Sequence, residues 1–247
     1  MLRIALPNKG RLAEEARELF ADAGVTGLDL VQESERALDT LLDLEFGRCR
    51  IVVPARDDGG IHTIDDVQGR PRVATVFPRV TARYFERVNR PVDIVPVSGA
   101  CEIAPHLGIA DIIVDLTSTG STLRVNGLHE VATVLESSAR LIAAAGAASA
   151  AGDRARTLGE LVDALSSVLR ARGKRYLMAN VPRARLDEVK QVLPGLNGPT
   201  VIDIMNGGTF VAVHAVVPAK TIYRTISALK SLGGEGILVT RIERLMP

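Results

Sequence analysis

Short apolar runs alternate along this chain with stretches of helical spacing. Residues 2–6 form an apolar run with Arg3 as its one charge, broken by Pro7, Asn8 and Gly10. From Arg11 onward, Leu12, Ala16, Leu19 and Phe20 recur at helical spacing, which predicts a helix. Strand, glycine-containing loop and helix is the opening unit of many α/β ligand-binding domains. The rhythm continues with strands at 50–53 (ended by Pro54), 72–76, 92–97 and 110–116. Between them the pattern predicts a capped short helix at 63–67, a helix at 81–88 and another at 101–107 that stops at Gly108. Strands alternating with helices call for a parallel or mixed sheet.

Residues 143–151 are low in complexity, and a long amphipathic helix follows at 154–172. Gly173 and its cationic neighbours end that helix and mark the best domain boundary. The remainder reads as strand 176–181, helix 185–193, strands 200–204 and 210–217 around the loop 206–208, helix 221–232 and strand 236–242. That order is βαββαβ, the ferredoxin-like arrangement.

Composition narrows the class. The 247 residues are 47% hydrophobic and 24% charged, a globular balance. Lys and Arg total 30 against 29 Asp and Glu, a net charge of +1, so no global excess drives binding to nucleic acid or an anionic membrane. Anion recognition must be local. With 3 Tyr, 5 Phe and no Trp, the core rests on aliphatic residues, which argues against an aromatic-rich base-stacking platform. Two cysteines, Cys49 and Cys101, make neither a four-thiolate zinc site nor a disulfide scaffold. No apolar run is long enough for a membrane span and the first residues do not read as a signal peptide, so a cytoplasmic protein is expected.

The most informative text is the run DIIVDLTSTGSTL at 111–123, where an apolar strand ends in Asp115 and a turn of small hydroxyl residues follows. Successive amides and hydroxyls converging on one point form a phosphate cradle, and an acid at the strand end can hold ribose hydroxyls or a phosphate-bound Mg²⁺. The same residue pattern also serves as an ordinary strand-to-helix turn with Ser/Thr caps. No Gly-Lys-Ser/Thr is present, so the turn is not a Walker loop. Lys9 and Arg11 sit in the loop after the first strand, where open α/β sheets bind ligands, although a solvated charged loop has the same composition. Arg48 and Arg50 bracket Cys49 before a strand, and Thr75 to Arg79 give a further strand end with a hydroxyl and a cation. Glu102 opens a helix, and His62, His106, His129 and His214 lack metal-ligand spacing.

These segments together resemble one family closely, the long form of ATP phosphoribosyltransferase. The matching text includes ALPNKGRL, GVTGLDLV, LEFGRCRIVV, VATVFPRVTARYF, GACEIAPHLGIADIIVDLTSTGSTLRVNGL, ARGKRYLMANVP, LPGLNGPTV and GILVTRIERLMP, in family order over nearly the whole chain. The resemblance implies transfer of the phosphoribosyl group of phosphoribosyl pyrophosphate (PRPP) to N1 of ATP, with Mg²⁺ accompanying the phosphates. It further implies feedback inhibition by histidine and dimers assembling into hexamers. The implied fold is α/β: a catalytic region at 1–171 of two periplasmic-binding-protein-like lobes, plus a ferredoxin-like regulatory domain at 172–247. One lobe would take 1–55 and 135–171, the other 56–134.

Site roles follow from the same resemblance. Asp115, Thr117, Ser118, Thr119, Gly120, Ser121, Thr122 and Leu123 would hold the ribose 5-phosphate of PRPP. Asp115 and Glu102 would contact ribose hydroxyls or metal, and Lys9, Arg11 and Arg48 would face pyrophosphate or ATP phosphates. Thr75 and Phe77 would line the nucleotide pocket, with Phe77, in place of the usual Tyr, offering a ring to adenine. Asn180, Leu196, Thr200, Val216 and Gly236 would surround histidine. The chain departs from the family near Gly24, where a block of several elements after the first helix is missing. That departure leaves open a catalytically impaired homologue that still senses histidine.

Overall fold

The computed structural model describes residues 23–34, 36–149, 151–205 and 207–246. The strand expected at 2–6, the helix expected from Arg11, and Lys9 and Arg11 themselves lie outside the described residues. The chain forms two compact units, Met1–Val162 and Asp163–Pro247.

In the first unit a small antiparallel sheet has the order β1-β8-β2, from Ala23–Gly27, Ala139–Ala144 and Leu38–Asp43. Helix α1 (Leu28–Glu33) leaves β1 directly. The larger sheet, of order β5-β4-β6-β3-β7, uses Asp93–Pro96, Arg72–Thr75, Ile112–Thr117, Cys49–Arg56 and Leu128–Ser137. Strand β4 runs parallel to β5 and β6, whereas β3 runs antiparallel to both β6 and β7, so the sheet is mixed. The chain passes between the sheets twice, after Asp43 and at Ser138. Strands β3 and β7, which divisions near 55 and 134 cut, both belong to the larger sheet.

That sheet is buried on both faces, which explains its unbroken apolar runs. Successive side chains of a strand point to opposite faces. Ile51, Val53, Val73, Ile112 and Val114 pack with Phe85, Tyr84 and Val80 of helix α2 (Pro78–Arg87). Val52, Ala74 and Ile113 face the other way, onto Cys101, Ala104, Leu123 and Leu128.

Two expectations need correcting. Strand β3 does not end at Pro54: it continues to Arg56, with Pro54 opposite Glu130 and a register shift between Val53 and Pro54. The bulge accommodates the missing N–H of proline at this position. The helix expected at 101–107 is a single 3₁₀ turn, Cys101–Ile103, followed by turns to Gly108. Pro105 there lacks a donor and its ring clashes with a helical carbonyl, so no α-helix propagates. Strand β7 has no counterpart in the hydrophobic pattern, because the bulges facing β3 break the alternation of period two that marks a half-buried strand.

Glu33 at the end of α1 caps α2. Its carboxylate accepts from the N–H groups of Arg79 at 3.0 Å and Val80 at 2.9 Å, while its own carbonyl accepts from the Arg79 guanidinium at 3.1 Å. Capping contacts of this kind contribute about 1 kcal/mol. Glu33→Ala is therefore expected to lower unfolding stability by about 1 kcal/mol, read from a denaturant midpoint at unchanged m-value.

Helix α4 (Asp153–Ala171) runs through the division between units. Its C-terminal half belongs to the second unit, where the Leu245 N–H donates to the Ser167 carbonyl at 2.9 Å. The rest of that unit is the expected βαββαβ module. It comprises β9 (Lys174–Pro182), α5 (Leu186–Val192), β10 (Thr200–Asp203), β11 (Phe210–Pro218), α6 (Ile222–Ser231) and β12 (Glu235–Arg241). All pairs are antiparallel in the order β10-β11-β9-β12. Leu177, Ala179, Val181, Val211, Val213, Ala215 and Val217 cover one face and pack on Val189, Leu193, Ile222 and Leu229 of the helices.

Candidate active site

The parallel strands β4 and β6 end side by side, and chemistry collects at their C-terminal ends, as is usual in open α/β sheets. Asp115 lies near the end of β6, mostly withdrawn from solvent, and accepts the Leu116 N–H at 2.7 Å. Burial pushes its carboxyl above the ordinary range, and the charge of nearby Glu102 pushes it the same way. Glu102 stands in the 3₁₀ turn Cys101–Ile103, so residues thirteen apart in sequence bring two carboxylates to one place. Cys101 beside them is buried, and desolvation together with Asp115 raises its thiol to about 11. It is a neutral packing group at physiological pH.

The turn after Asp115 is shaped by its own hydroxyls. Buried Thr117 accepts the Gly120 N–H on Oγ1 at 2.9 Å, and Thr119 and Ser121 share a hydroxyl contact at 2.9 Å. Gly120 has φ +71°, in the left-handed region that a side chain would strain. Ser118, Thr119, Ser121 and Thr122 are exposed and present their hydroxyls to solvent. Helix α3 (Ser121–Val125) has only 5 residues, so the turn's own amides and hydroxyls, not a helix dipole, supply the donors. Leu123 contributes no side chain to a ligand, because it is buried in the core and anchors the helix.

A cavity of about 440 Å³ adjoins this turn, lined by Ser118, Arg48, Arg50, Arg140 and Asp43, among others. Burial alone would raise the Asp43 carboxyl. Bonds from the Glu45 amide and Ser138 hydroxyl, with the charges of Arg140 and Arg48, hold it below the ordinary value instead. Arg140, at 3.1 Å from Asp43, has no signal in sequence, since its partner lies across two strands of the small sheet. Arg50 is legible in the GRCR text that also contains Arg48.

Thr75 and Phe77 are not where a nucleotide would meet their side chains. Thr75 is fully buried, and its hydroxyl accepts the Phe77 N–H at 2.9 Å and lies 3.3 Å from that of Thr81. The Phe77 ring is 6% exposed and packs in the core beneath α2, so it offers no face to adenine. An apolar ring at a helix entry gains more from that burial than from a partly wet pocket, and Phe has no hydroxyl to hold it at the surface.

In the second unit Asn180, Thr200 and Val216 all lie on the sheet face opposite the helices, by their alternation with buried neighbours. Gly236, at φ +56°, adjoins Asn180, and a Cβ there would stand 3.4 Å from the Asn180 amide nitrogen. Thr200 is opposite His214, and Val216 opposite Tyr176, whose hydroxyl meets His214 Nδ1 at 2.9 Å. Asn180 and Val216 are therefore separated by four residues along the strands, about 13 Å. The five candidate residues fall into two groups on one face, with exposed Leu196 in the loop after α5.

A hydroxyl-rich turn and paired carboxylates beside an arginine-lined cavity mark an α/β enzyme acting on a phosphorylated sugar or nucleotide. The comparisons specify which. The pattern described as ATP phosphoribosyltransferase matches residues 13–167, and that of the family's C-terminal domain matches 171–244. The ATP phosphoribosyltransferase of Gemmatimonas aurantiaca is 59% identical, with all of both chains aligned over 292 positions. That of Haloarcula marismortui is 45% identical over 99% of this chain and 100% of its own. Among solved structures, the ATP phosphoribosyltransferase complex of Thermotoga maritima is 30% identical, with a TM-score of 0.48 over 59% of this chain and 66% of its own. The chain belongs to the ATP phosphoribosyltransferase family, and its second unit is the family's C-terminal regulatory domain. The Gemmatimonas alignment leaves 45 positions without a residue in this 247-residue chain.

Proposed function

We propose that this protein transfers the phosphoribosyl group of PRPP to N1 of ATP and releases pyrophosphate, the first step of histidine biosynthesis. The observation that carries this reading is the convergence of Asp115, Glu102 and the 117–122 turn at the ends of β4 and β6, next to a cavity lined by arginines. The turn amides and the exposed hydroxyls of Ser118, Thr119, Ser121 and Thr122 receive the 5-phosphate. Asp115 and Glu102 accept the ribose hydroxyls. Lys9, Arg11 and Arg48 serve the pyrophosphate or the ATP phosphates.

In the reaction the bond from ribose C1 to the pyrophosphate oxygen breaks as the bond from C1 to adenine N1 forms. The ribose then bears oxocarbenium character. Two nearby carboxylates favour that positive charge, and the Arg48 guanidinium favours the departing negative one. Neutral adenine N1 is already nucleophilic, so the chain need only position it.

A divalent ion fits this donor set. Asp115 and Glu102 are hard oxygen donors that repel each other, yet among the described residues no group of three His, Cys, Asp or Glu could hold a metal alone. The two carboxylates would hold Mg²⁺, which would supply charge neutralisation for the leaving pyrophosphate. Histidine would bind on the open face of the C-terminal sheet at Asn180, Leu196, Thr200, Val216 and Gly236, and the chain would form homo-oligomers, from dimers to hexamers. Among the described residues no helix is long and apolar enough to cross a membrane, and we assign the enzyme to the cytoplasm.

Mixing protein, ATP, PRPP and Mg²⁺ and following product absorbance tests the reading. Turnover that requires both substrates and is suppressed by histidine is expected. No turnover with histidine binding retained would overturn it.

A further inference from the structure

The phosphate turn is gripped from behind by two arginines. Arg50, on β3, donates from Nη1 to the Ser118 carbonyl at 3.2 Å, and Arg124, on α3, donates from Nη1 to the Thr119 carbonyl at 3.3 Å. Arg50 is itself held as a fork: its Nε meets Glu130 Oε2 at 3.0 Å and its Nη2 meets Glu130 Oε1. Glu130 projects from β7, eighty residues away along the chain. The carboxylate and the Arg124 guanidinium close directly under Gly120, where a Cβ would stand 3.2 Å from Glu130 Oε1 and 3.1 Å from Arg124 Nη1. Gly120 is therefore required twice, for its positive φ and for the room it leaves this pair.

The grip has a directional consequence. A trans peptide is planar with its C=O and N–H on opposite edges. Drawing the Ser118 carbonyl onto Arg50 turns the Thr119 N–H to the other side. Drawing the Thr119 carbonyl onto Arg124 turns the Gly120 N–H away likewise, and that N–H is found on Thr117 Oγ1. The planar fork meets the carboxylate through two nitrogens and the carbonyl through a third, a geometry that the single nitrogen of a lysine does not reproduce. Arg50 and Glu130 are each about one-third exposed, and such pairs add little to folding stability.

We infer that Arg50 and Glu130 are positioning residues for PRPP, presetting the Thr119 amide of the turn for its 5-phosphate through the Ser118 carbonyl. The inference rests on reading that turn as the phosphate seat. Its test uses the full chain with Arg50→Lys, with Glu130→Gln and with both. PRPP with Mg²⁺ is titrated by calorimetry without ATP, alongside steady-state KM values for both substrates and thermal midpoints.

Each single variant is expected to weaken PRPP binding and raise its KM about 10-fold, the scale of a lost hydrogen bond to a charged group. The KM for ATP and the thermal midpoint should barely move. The double variant should lose no more than the worse single one, because the two act through one contact. Unchanged PRPP affinity in the variants overturns the inference, as does a parallel loss of ATP affinity and thermal stability. A wild-type protein that does not bind PRPP overturns the phosphate-seat reading itself, so the two failures are distinguishable.

Discussion

Asp115→Asn is expected to cut PRPP-dependent kcat/KM by about 100-fold or more, the scale of removing one preorganised electrostatic group from an active site. The same substitution is expected to make the ligand-free protein more stable at neutral pH. Both outcomes have one cause. Burial and Glu102 raise the Asp115 carboxyl, so the folded state holds its anion at a cost that solvent would not impose.

The sign can be worked from the proton count. Between the ordinary carboxylate value and the raised folded value, the folded chain binds more protons than the unfolded chain. Stability therefore falls as pH rises through that window and stays lowered above it. Below the ordinary carboxylate value the group is neutral in both states and the penalty vanishes. The difference in thermal midpoint between Asp115→Asn and wild type should thus be largest at neutral pH and shrink on acidification. Saturating PRPP and Mg²⁺ should reverse the order, because only the carboxylate gains from them. Equal turnover in the variant would remove Asp115 from the reaction. A midpoint below wild type at neutral pH would show that its charge is already compensated in the free protein.

Asn180→Ala is expected to abolish most histidine inhibition, shifting the half-inhibitory concentration by about 10-fold or more while kcat stays within twofold. The residue lies on the open face of the C-terminal sheet, beside the positive-φ Gly236. It belongs to a unit separate from the candidate active site, so removing its amide takes away ligand contacts without disturbing Asp115 or the turn. Thr200→Ala, in the second group on that face, should release inhibition as well. If only one of the two variants does so, histidine occupies one end of the sheet and the other group has a different role. Inhibition that persists in both variants would overturn the assignment of this face.

The contrast between Leu123 and Arg50 shows how far residue patterns reach. Text matching placed Leu123 in the phosphate turn and left Arg50 as one of two cations flanking Cys49 before a strand. The structure buries Leu123 in the core and carries Arg50 beneath the turn to a carboxylate that no motif connects to it. Phe77 marks the same limit, since a motif records that a ring follows Thr75 but not which way it points. Strand β7 escaped notice for a local reason, because bulges interrupt the alternation that would have revealed it.

What the sequence by itself determined is whatever depends on neighbours in the chain. That covers the βαββαβ order of the last domain, the hydroxyl turn after Asp115, the capping box at Thr63 and Asp66, and the family. Helical and strand periodicity, turn chemistry and motif text are all short-range properties. Only the tertiary structure decided which groups share a volume. It set Glu102 against Asp115, Arg140 against Asp43, Glu33 onto the start of α2 and Glu130 under Gly120. The Arg140 and Glu130 pairings follow from strand order and register and the other two from how helix and turn pack on the sheets, and all are selected by burial of apolar faces. That burial is a property of the whole unit and of no local segment.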